Sequence, residues 1–328
     1  MTRRQGVGPF EQTDDSGGVA VVAGASRGLG LEITRLLVAR GWRVHGFSRN
    51  RGSLDRVEDG LVGPGSFVAH RCDVRDPAAV DALVRQVWDD DGHIDLALHV
   101  AGVIEVGPVR SVTLGHLREA VDTMLWGPVH LCLAVVPLMR SRGRGRIGVL
   151  SSVGGLVAVP RLLPYSVAKF AAVGLAEGLA AELSGTGVSV TSITPWLMRT
   201  GGHEHARFTG DGPFDRAWFA PGASLPVLSV PVERAARRIV DGTLDGRPCV
   251  GASPLVSVAR RVHGLAPATT VRALGLAQRL LGGDGPQRSW LRADAPFVEG
   301  ASDEERRRAP ILDALTLLGR RAARSHNE

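Results

Sequence analysis

Apolar residues in this chain fall into short runs, separated by stretches in which they recur every three or four positions. The run GGVAVVAG at 17–24 has no polar position on either face, as a strand buried on both sides requires. A helical pattern over 28–40 follows, then a second strand at 42–48 and a third at 66–74. Pro77 opens a helix that runs to 91, and a fourth strand covers 94–102. A long helical pattern spans 113–140, with Gly127-Pro128 interrupting it. Strands at 146–152 and 187–195 flank an Ala-rich helix from 164 to 184, and a helix at 231–242 and a short strand at 247–253 close the series. Strands alternating with helices predict an α/β fold, a doubly wound parallel sheet in one domain over 18–253. Residues 1–17 read as a flexible lead-in and 254–328 as a helical C-terminal extension.

Two segments break this rhythm. Residues 197–230 are rich in Gly, Pro and aromatics, and a loop of that length inside a compact domain is usually functional. Phe208, Phe214, Trp218 and Phe219 give it apolar anchors, so it is expected to be a substrate lid over an apolar site. In the extension, the stretches 271–281 and 311–321 are amphipathic. Their stripes are expected to pack on the core or on a subunit, with contact to a membrane surface as the alternative.

Composition narrows the class. With 44% hydrophobic and 22% charged residues the chain can bury a substantial core without staples. Cys72, Cys132 and Cys249 are far apart in sequence, which points to a reducing compartment, and the cytoplasm is the expected location. No eighteen apolar residues run uninterrupted, and the N-terminus lacks the apolar core of a secretory signal. The net charge is +6, but the arginines are scattered and no aromatic interleaving accompanies them, which argues against a nucleic-acid partner. His203-Glu204-His205 has no third ligand at metal spacing, so no metal site is expected.

The chemistry is concentrated elsewhere. Of the 39 basic side chains only Lys169 is a lysine, and Tyr165 is the one tyrosine. Four residues apart on a predicted helix, they share a face. A phenol titrates near 10, and a neighbouring ammonium favours the phenolate, as an acid–base group working near neutrality needs. Ser152 ends the fifth strand, thirteen residues before the tyrosine, where its hydroxyl could bond a substrate oxygen on which charge develops.

The first strand runs into Gly24-Ala-Ser26-Arg27-Gly28-Leu29-Gly30, which opens a helix. Such a loop lets the backbone approach a pyrophosphate at a helix N-terminus, as in Rossmann-type folds. An NAD site wants a carboxylate at the end of the second strand; here Ser48-Arg49 stand there, and no acid follows until Asp55. Arg27 and Arg49 suit a 2′-phosphate, so the expected cofactor is NADP(H).

Together these residues make the chain resemble the short-chain dehydrogenase/reductase family over about 18–250. The resemblance rests on the glycine loop, Cys72-Asp73-Val74, Ala101-Gly102, Ser152, the Tyr165-x3-Lys169 pair, and Pro195 followed by Thr200. It implies that Tyr165 is the general acid/base, Ser152 orients the carbonyl and Lys169 holds the nicotinamide ribose. Asp73 would contact adenine, and Pro195 to Thr200, Met198 included, the carboxamide and phosphates. It also implies a small-molecule carbonyl or alcohol substrate and a homodimer or homotetramer, and the aromatic lid adds that the substrate is bulky and apolar. Five positions depart from the pattern: Ala23, His99 and Val100, Trp196, and Met124 where the family carries an Asn of its proton relay. A cofactor-binding sensor or assembly protein with little turnover is the alternative, favoured by Met124 and His99, whereas the intact Ser-Tyr-Lys set favours the enzyme.

Overall fold

The computed structural model describes residues 17–199, 206–209, 229–251, 253–281 and 298–299. Residues 1–16, Thr200, the 203–205 cluster, the aromatic positions 214, 218 and 219, and the pattern at 311–321 lie outside the described residues.

In chain order the elements are β1 (Val19–Ala23), α1 (Gly28–Ala39), β2 (Arg43–Ser48), α2 (Arg51–Asp59), β3 (Ser66–Arg71), α3 (Pro77–Asp91), β4 (Leu96–His99) and β5 (Glu105–Val106). There follow α4 (Leu114–Val121), α5 (Gly127–Ser141), β6 (Gly145–Leu150), α6 (Leu163–Glu182), β7 (Val188–Ile193), β8 (Met198–Arg199), β9 (Arg207–Phe208) and β10 (Val230–Pro231). The last are α7 (Val232–Leu244), β11 (Cys249–Val250), α8 (Pro254–Leu265), α9 (Pro267–Leu281) and β12 (Val298–Glu299).

Seven strands form one sheet in the order β3-β2-β1-β4-β6-β7-β11, with every pair parallel. The order reverses between β1 and β4, which opens a crevice at their carboxyl ends. Alternation along β1 builds both layers. Val19, Val21 and Ala23 face a core that includes Val84, Val87, Leu131, Val135 and Ala172 of α3, α5 and α6. Ala20 and Val22 face Ile33, Leu37, Ala235 and Ile239 of α1 and α7. Two buried faces explain why this strand reads as an unbroken apolar run.

The expected strands at 66–74, 94–102, 146–152 and 187–195 are shorter in the structure, each losing residues at its carboxyl end. Those residues leave the ladder to line or support the crevice. Helix α2 escaped the sequence reading because its sequence RGSLDRVED is almost wholly polar. Its cue was Asn50, whose side chain accepts the Ser53 N–H as an N-cap.

Gly127-Pro128 does not interrupt its helix. A π turn over Asp122–Trp126 joins α4 to α5 without a break. Pro128 has no N–H to give, and a widened turn is one place where a helix tolerates that loss. A Cβ on Gly127 would come within 2.7 Å of His99 Nε2 and 3.1 Å of the Val74 side chain, so the glycine leaves room for the buried imidazole. The run Leu114–Ser141 is long and apolar enough to cross a membrane. Here Leu131, Cys132, Val135 and Met139 turn to the sheet core instead.

The aromatic segment 197–230 is described only at its ends and at 206–209. β8 pairs with β10, so its two ends lie side by side. β9 is held between β5 and β12. Phe208 is buried with Val106, Ala206 and Leu162, against partly buried Ile104, Val159 and Tyr165. Beyond the sheet, Val256 of α8 is buried, whereas the apolar stripe Leu255, Val258, Val262 and Leu265 is exposed. The physical reason is registry: the face of α8 carrying Val256 meets the domain, and the stripe lies on the opposite side.

β5 brings one costly group inside. Glu105 is 2% exposed, and neither carboxylate oxygen has a hydrogen-bond partner among the described residues. Burial, and then the negative charge of Glu119, push its carboxyl up to about 8, with Arg207 opposing. Between the ordinary value of 4.5 and about 8 the folded chain keeps a proton that the unfolded chain has released, so stability falls as pH rises through that window and levels above it. Glu105→Gln should therefore melt at the same temperature as wild type near pH 4 and at a progressively higher one up to about pH 8. Thermal unfolding of both proteins from pH 4 to 9 checks this, and parallel curves would reject it.

Candidate active site

The crevice between β1 and β4 opens into a cleft of about 450 Å³. Gly24, Ser26, Arg27, Leu29 and Gly30 form its floor at the start of α1, and Ser48 and Arg49 border it at the end of β2. Asp73, Val74, Ala101, Gly102 and Met198 line its middle, and Tyr165 and Lys169 stand at its far side. Of the expected cofactor residues, Gly28 and Pro195 are not among the lining groups, and Thr200 lies outside the described residues. Pro195 is buried behind the site, where its carbonyl accepts the Val153 N–H at 3.0 Å.

The backbone explains the glycines. Gly24 has φ +87°, and a Cβ there would meet the Ala101 backbone at 2.7 Å. A Cβ on Gly30 would lie 2.0 Å from the Gly24 carbonyl oxygen. The loop is thus folded too tightly on itself and on β4 for side chains at either position, and the first turn of α1 is left facing the cleft. Bare N–H groups at a helix start, an open cleft and guanidinium groups at its rim suit a dinucleotide with its phosphates. The residues fit a nicotinamide cofactor.

Helix α6 presents Tyr165 and Lys169 on one face, with Lys169 Nζ 5.7 Å from the centroid of the tyrosine ring. The phenol stands beside Ser152, whose hydroxyl oxygen accepts the Gly154 N–H at 3.1 Å. Burial raises the phenol above its usual value, and the nearby Ser152 hydroxyl opposes that rise. Lys169 is 2% exposed, and its ammonium donates to the Leu150 carbonyl at 2.8 Å. Burial lowers it to about 7. The Lys169 carbonyl in turn accepts the Ser151 hydroxyl at 2.7 Å, which ties α6 to the end of β6.

Three details were not legible in the sequence. Leu150 acts through its backbone, and backbone acceptors leave no trace in residue identity. Asn50 and Ser53 line the cleft from α2, a helix that polar composition concealed. Asp73 lines the cleft too, but its carboxylate is clasped by Arg75 at 2.6 Å, which, more than any other cause, holds it below the usual carboxylate range.

Two of the departing residues, Met124 and His99, lie close to the lysine. Met124 is 1% exposed and packs with Ala120, Ala168 and the Tyr165 ring. A Cβ on Gly102 would stand 3.3 Å from its sulfur and 3.9 Å from Lys169 Nζ. A thioether hardly accepts and cannot donate hydrogen bonds, so the Leu150 carbonyl serves the ammonium here. His99 is 2% exposed and its Nε2 has no hydrogen-bond partner among the described residues. Burial, and then the Lys169 charge, lower it to about 3, so the imidazole is neutral at physiological pH. Trp196 packs with Leu156, Val157, Val173 and Val256.

Known proteins share this arrangement. The model of the family described as short chain dehydrogenase matches residues 18–209. This chain belongs to that family. D-threitol dehydrogenase of Mycolicibacterium smegmatis is 32% identical to it over 198 residues, covering 60% of this chain and 75% of its own length. Dehydrogenase/reductase SDR family member 7B of Danio rerio is 31% identical over 202 residues, 59% of this chain and 65% of its own length. A crystal structure of a short-chain dehydrogenase from Streptomyces avermitilis aligns with TM-score 0.69 at 27% identity, over 82% of this chain and all of that one. A short-chain dehydrogenase/reductase from Burkholderia phymatum, solved in complex with NAD, has the same fold, with TM-score 0.70 at 21% identity over 84% of this chain and 99% of that one.

The tight loop gives a test. Alanine at φ +87° carries a left-handed penalty of about 1–2 kcal/mol, before the clash with Ala101 is counted. Gly24→Ala should lower the melting temperature and weaken nicotinamide cofactor binding by about tenfold or more, measured by thermal unfolding and fluorescence titration. Unchanged cofactor affinity would mean that this loop is not the phosphate cradle.

Proposed function

We propose that this chain is an NADP(H)-dependent oxidoreductase interconverting a ketone or aldehyde with its alcohol on a bulky, apolar substrate. The observation that carries the reading is Tyr165 and the buried Lys169 on one face of α6, with Ser152 beside the phenol, at the far side of a cleft that begins in a glycine loop.

Bound in the cleft, the nicotinamide supplies or accepts the hydride at the substrate carbon. The chain's own residues handle the oxygen. Ser152 donates a hydrogen bond to it, and Tyr165 gives it a proton in the reductive direction or takes one in the oxidative direction. Lys169, close to the ring and almost dry, favours the phenolate whenever it carries its proton. Its own value near 7 lets a small change in the site decide that charge. Met124 in the relay position leaves this first step intact, because it removes no group that touches the substrate oxygen.

Cofactor choice follows from the rim. Asp73 is the one carboxylate among the described lining residues, and Arg75 occupies it. Asp55, the first acid after β2, is bound by Arg51 at 2.7 Å. Arg49 is exposed at the strand end, where a 2′-phosphate would meet it. The apolar substrate is supported by Val103 and Ile104 in the cleft wall and by Phe208 packed beside Tyr165. A homodimer is supported by the exposed Trp126, Leu133, Val167 and Phe170 on neighbouring helices α5 and α6 and the turn before them. The free thiols Cys72, Cys132 and Cys249 support a cytoplasmic location.

Two measurements test this reading. Losing charge-assisted phosphate contacts costs about 1.5–3 kcal/mol, so Arg49→Ala should weaken NADPH about tenfold to a hundredfold and leave NADH nearly unchanged. Equal wild-type affinities for the two cofactors would overturn the NADP(H) assignment. Tyr165→Phe should lower carbonyl reduction about a hundredfold or more, assayed by NADPH oxidation over a panel of hydrophobic carbonyls, while cofactor binding is kept. Near-normal turnover by that variant would reject the mechanism.

A further inference from the structure

Helices α8 and α9 stand against the domain on one narrow contact. Val256 is buried against Leu156 and Val173, Arg260 pairs with Glu177 of α6 at 2.7 Å, and His263 meets the Phe170 ring edge-on. Positions 256, 260 and 263 share one face of α8. Leu255, Val258, Val262 and Leu265 lie on the opposite face, each at least half exposed, and Leu265 is 87% exposed. In α9 none of residues 267–279 is buried, and Val271 and Leu276 are exposed as well. Such contiguous aliphatic exposure is unusual on a surface that meets only water.

The charges around it are of one sign. Residues 254–281 contain four arginines and no Asp or Glu, in a chain that carries 33 acidic residues. Arg260 is spent on Glu177, whereas Arg261, Arg272 and Arg279 are exposed and make no ion pair among the described residues. Arg261 borders the aliphatic stripe of α8 by helical position. A second copy docking on this face would set these arginines against their own kind. A surface that is apolar within and anionic outside suits both features, and this is the chemistry of an anionic lipid bilayer.

We propose that the consecutive helices α8 and α9 form a docking surface for anionic membranes. Its anchor Val256 packs on Leu156, Val157 and Trp196, which flank Ser152 and Pro195, so docking would hold the active-site end of the domain next to the lipid. The proposal rests on these two helices and not on the carbonyl chemistry, and it is read by binding, so it stands or falls separately from the proposed reaction.

The test is cosedimentation of the full chain with vesicles of phosphatidylcholine containing about one-third phosphatidylglycerol. Binding to these vesicles is expected, with at least about tenfold weaker binding to pure phosphatidylcholine and again in about 0.5 M salt, because the arginine attraction is screened. Val258→Asp/Val262→Asp should lower vesicle affinity by about tenfold or more, while circular dichroism and NADPH titration match wild type. The proposal is overturned if wild type does not bind the anionic vesicles, or if the double variant binds as well as wild type. It is also overturned if sedimentation shows a dimer that the double variant abolishes while neither protein binds vesicles, since the face then belongs to a second copy.

Discussion

Parallel pairing is the constraint from which the rest of this molecule follows. A parallel neighbour can be reached only by crossing over the sheet, so each strand is followed by a helix on one face and every strand ends at the same edge. That edge gathers Gly24 after β1, Ser48 at the end of β2, Asp73 after β3, Ala101 after β4, Ser152 after β6 and Pro195 after β7. These residues are scattered over most of the domain in sequence. The reversal of strand order between β1 and β4 keeps helices from covering their ends, and the cleft lies there.

Within the cleft, the expensive element is the buried ammonium of Lys169. Dehydration would be costly for it without the Leu150 carbonyl, and it lies close enough to the Tyr165 ring to influence the phenol. The same burial that lowers the lysine raises the tyrosine, so their values move apart, each toward its uncharged form. Arginine could not serve, since its guanidinium is larger and does not titrate in this range. A chain that otherwise uses arginine throughout therefore keeps one lysine at this place. Met124 and the neutral His99 make the surroundings of that lysine drier still.

Strong periodicity made most elements readable. β1, α1, β2, α3, β6, α6 and β7 lie within a few residues of their sequence positions, because each buries a face against the same two-layer core and the apolar spacing records it. The exceptions have physical reasons. α2 is capped by Asn50 and buries only Leu54 and Val57, too little to mark a stripe. The π turn before Gly127 could not be foreseen, since the glycine answers to His99, a residue 28 positions away on another element. The carboxyl ends of the strands read as longer than they are, because apolar residues that line a cleft look the same as residues that continue a strand.

By itself the sequence determined the rhythm of strands and helices, the glycine loop at the first crossover, and the pairing of the one tyrosine with the one lysine on a helix face. Each is a local property, set by periodicity, backbone freedom or helical spacing. Tertiary structure decided the rest: that Ser152 stands beside the Tyr165 phenol, that a backbone carbonyl serves Lys169, that Arg75 occupies Asp73, that Glu105 is buried with no hydrogen-bond partner among the described residues, and which side of α8 turns outward. Those outcomes depend on which atoms meet across elements and how dry the meeting place is. Burial and hydrogen bonding between distant segments are properties of the packed chain, and no single stretch of sequence contains them.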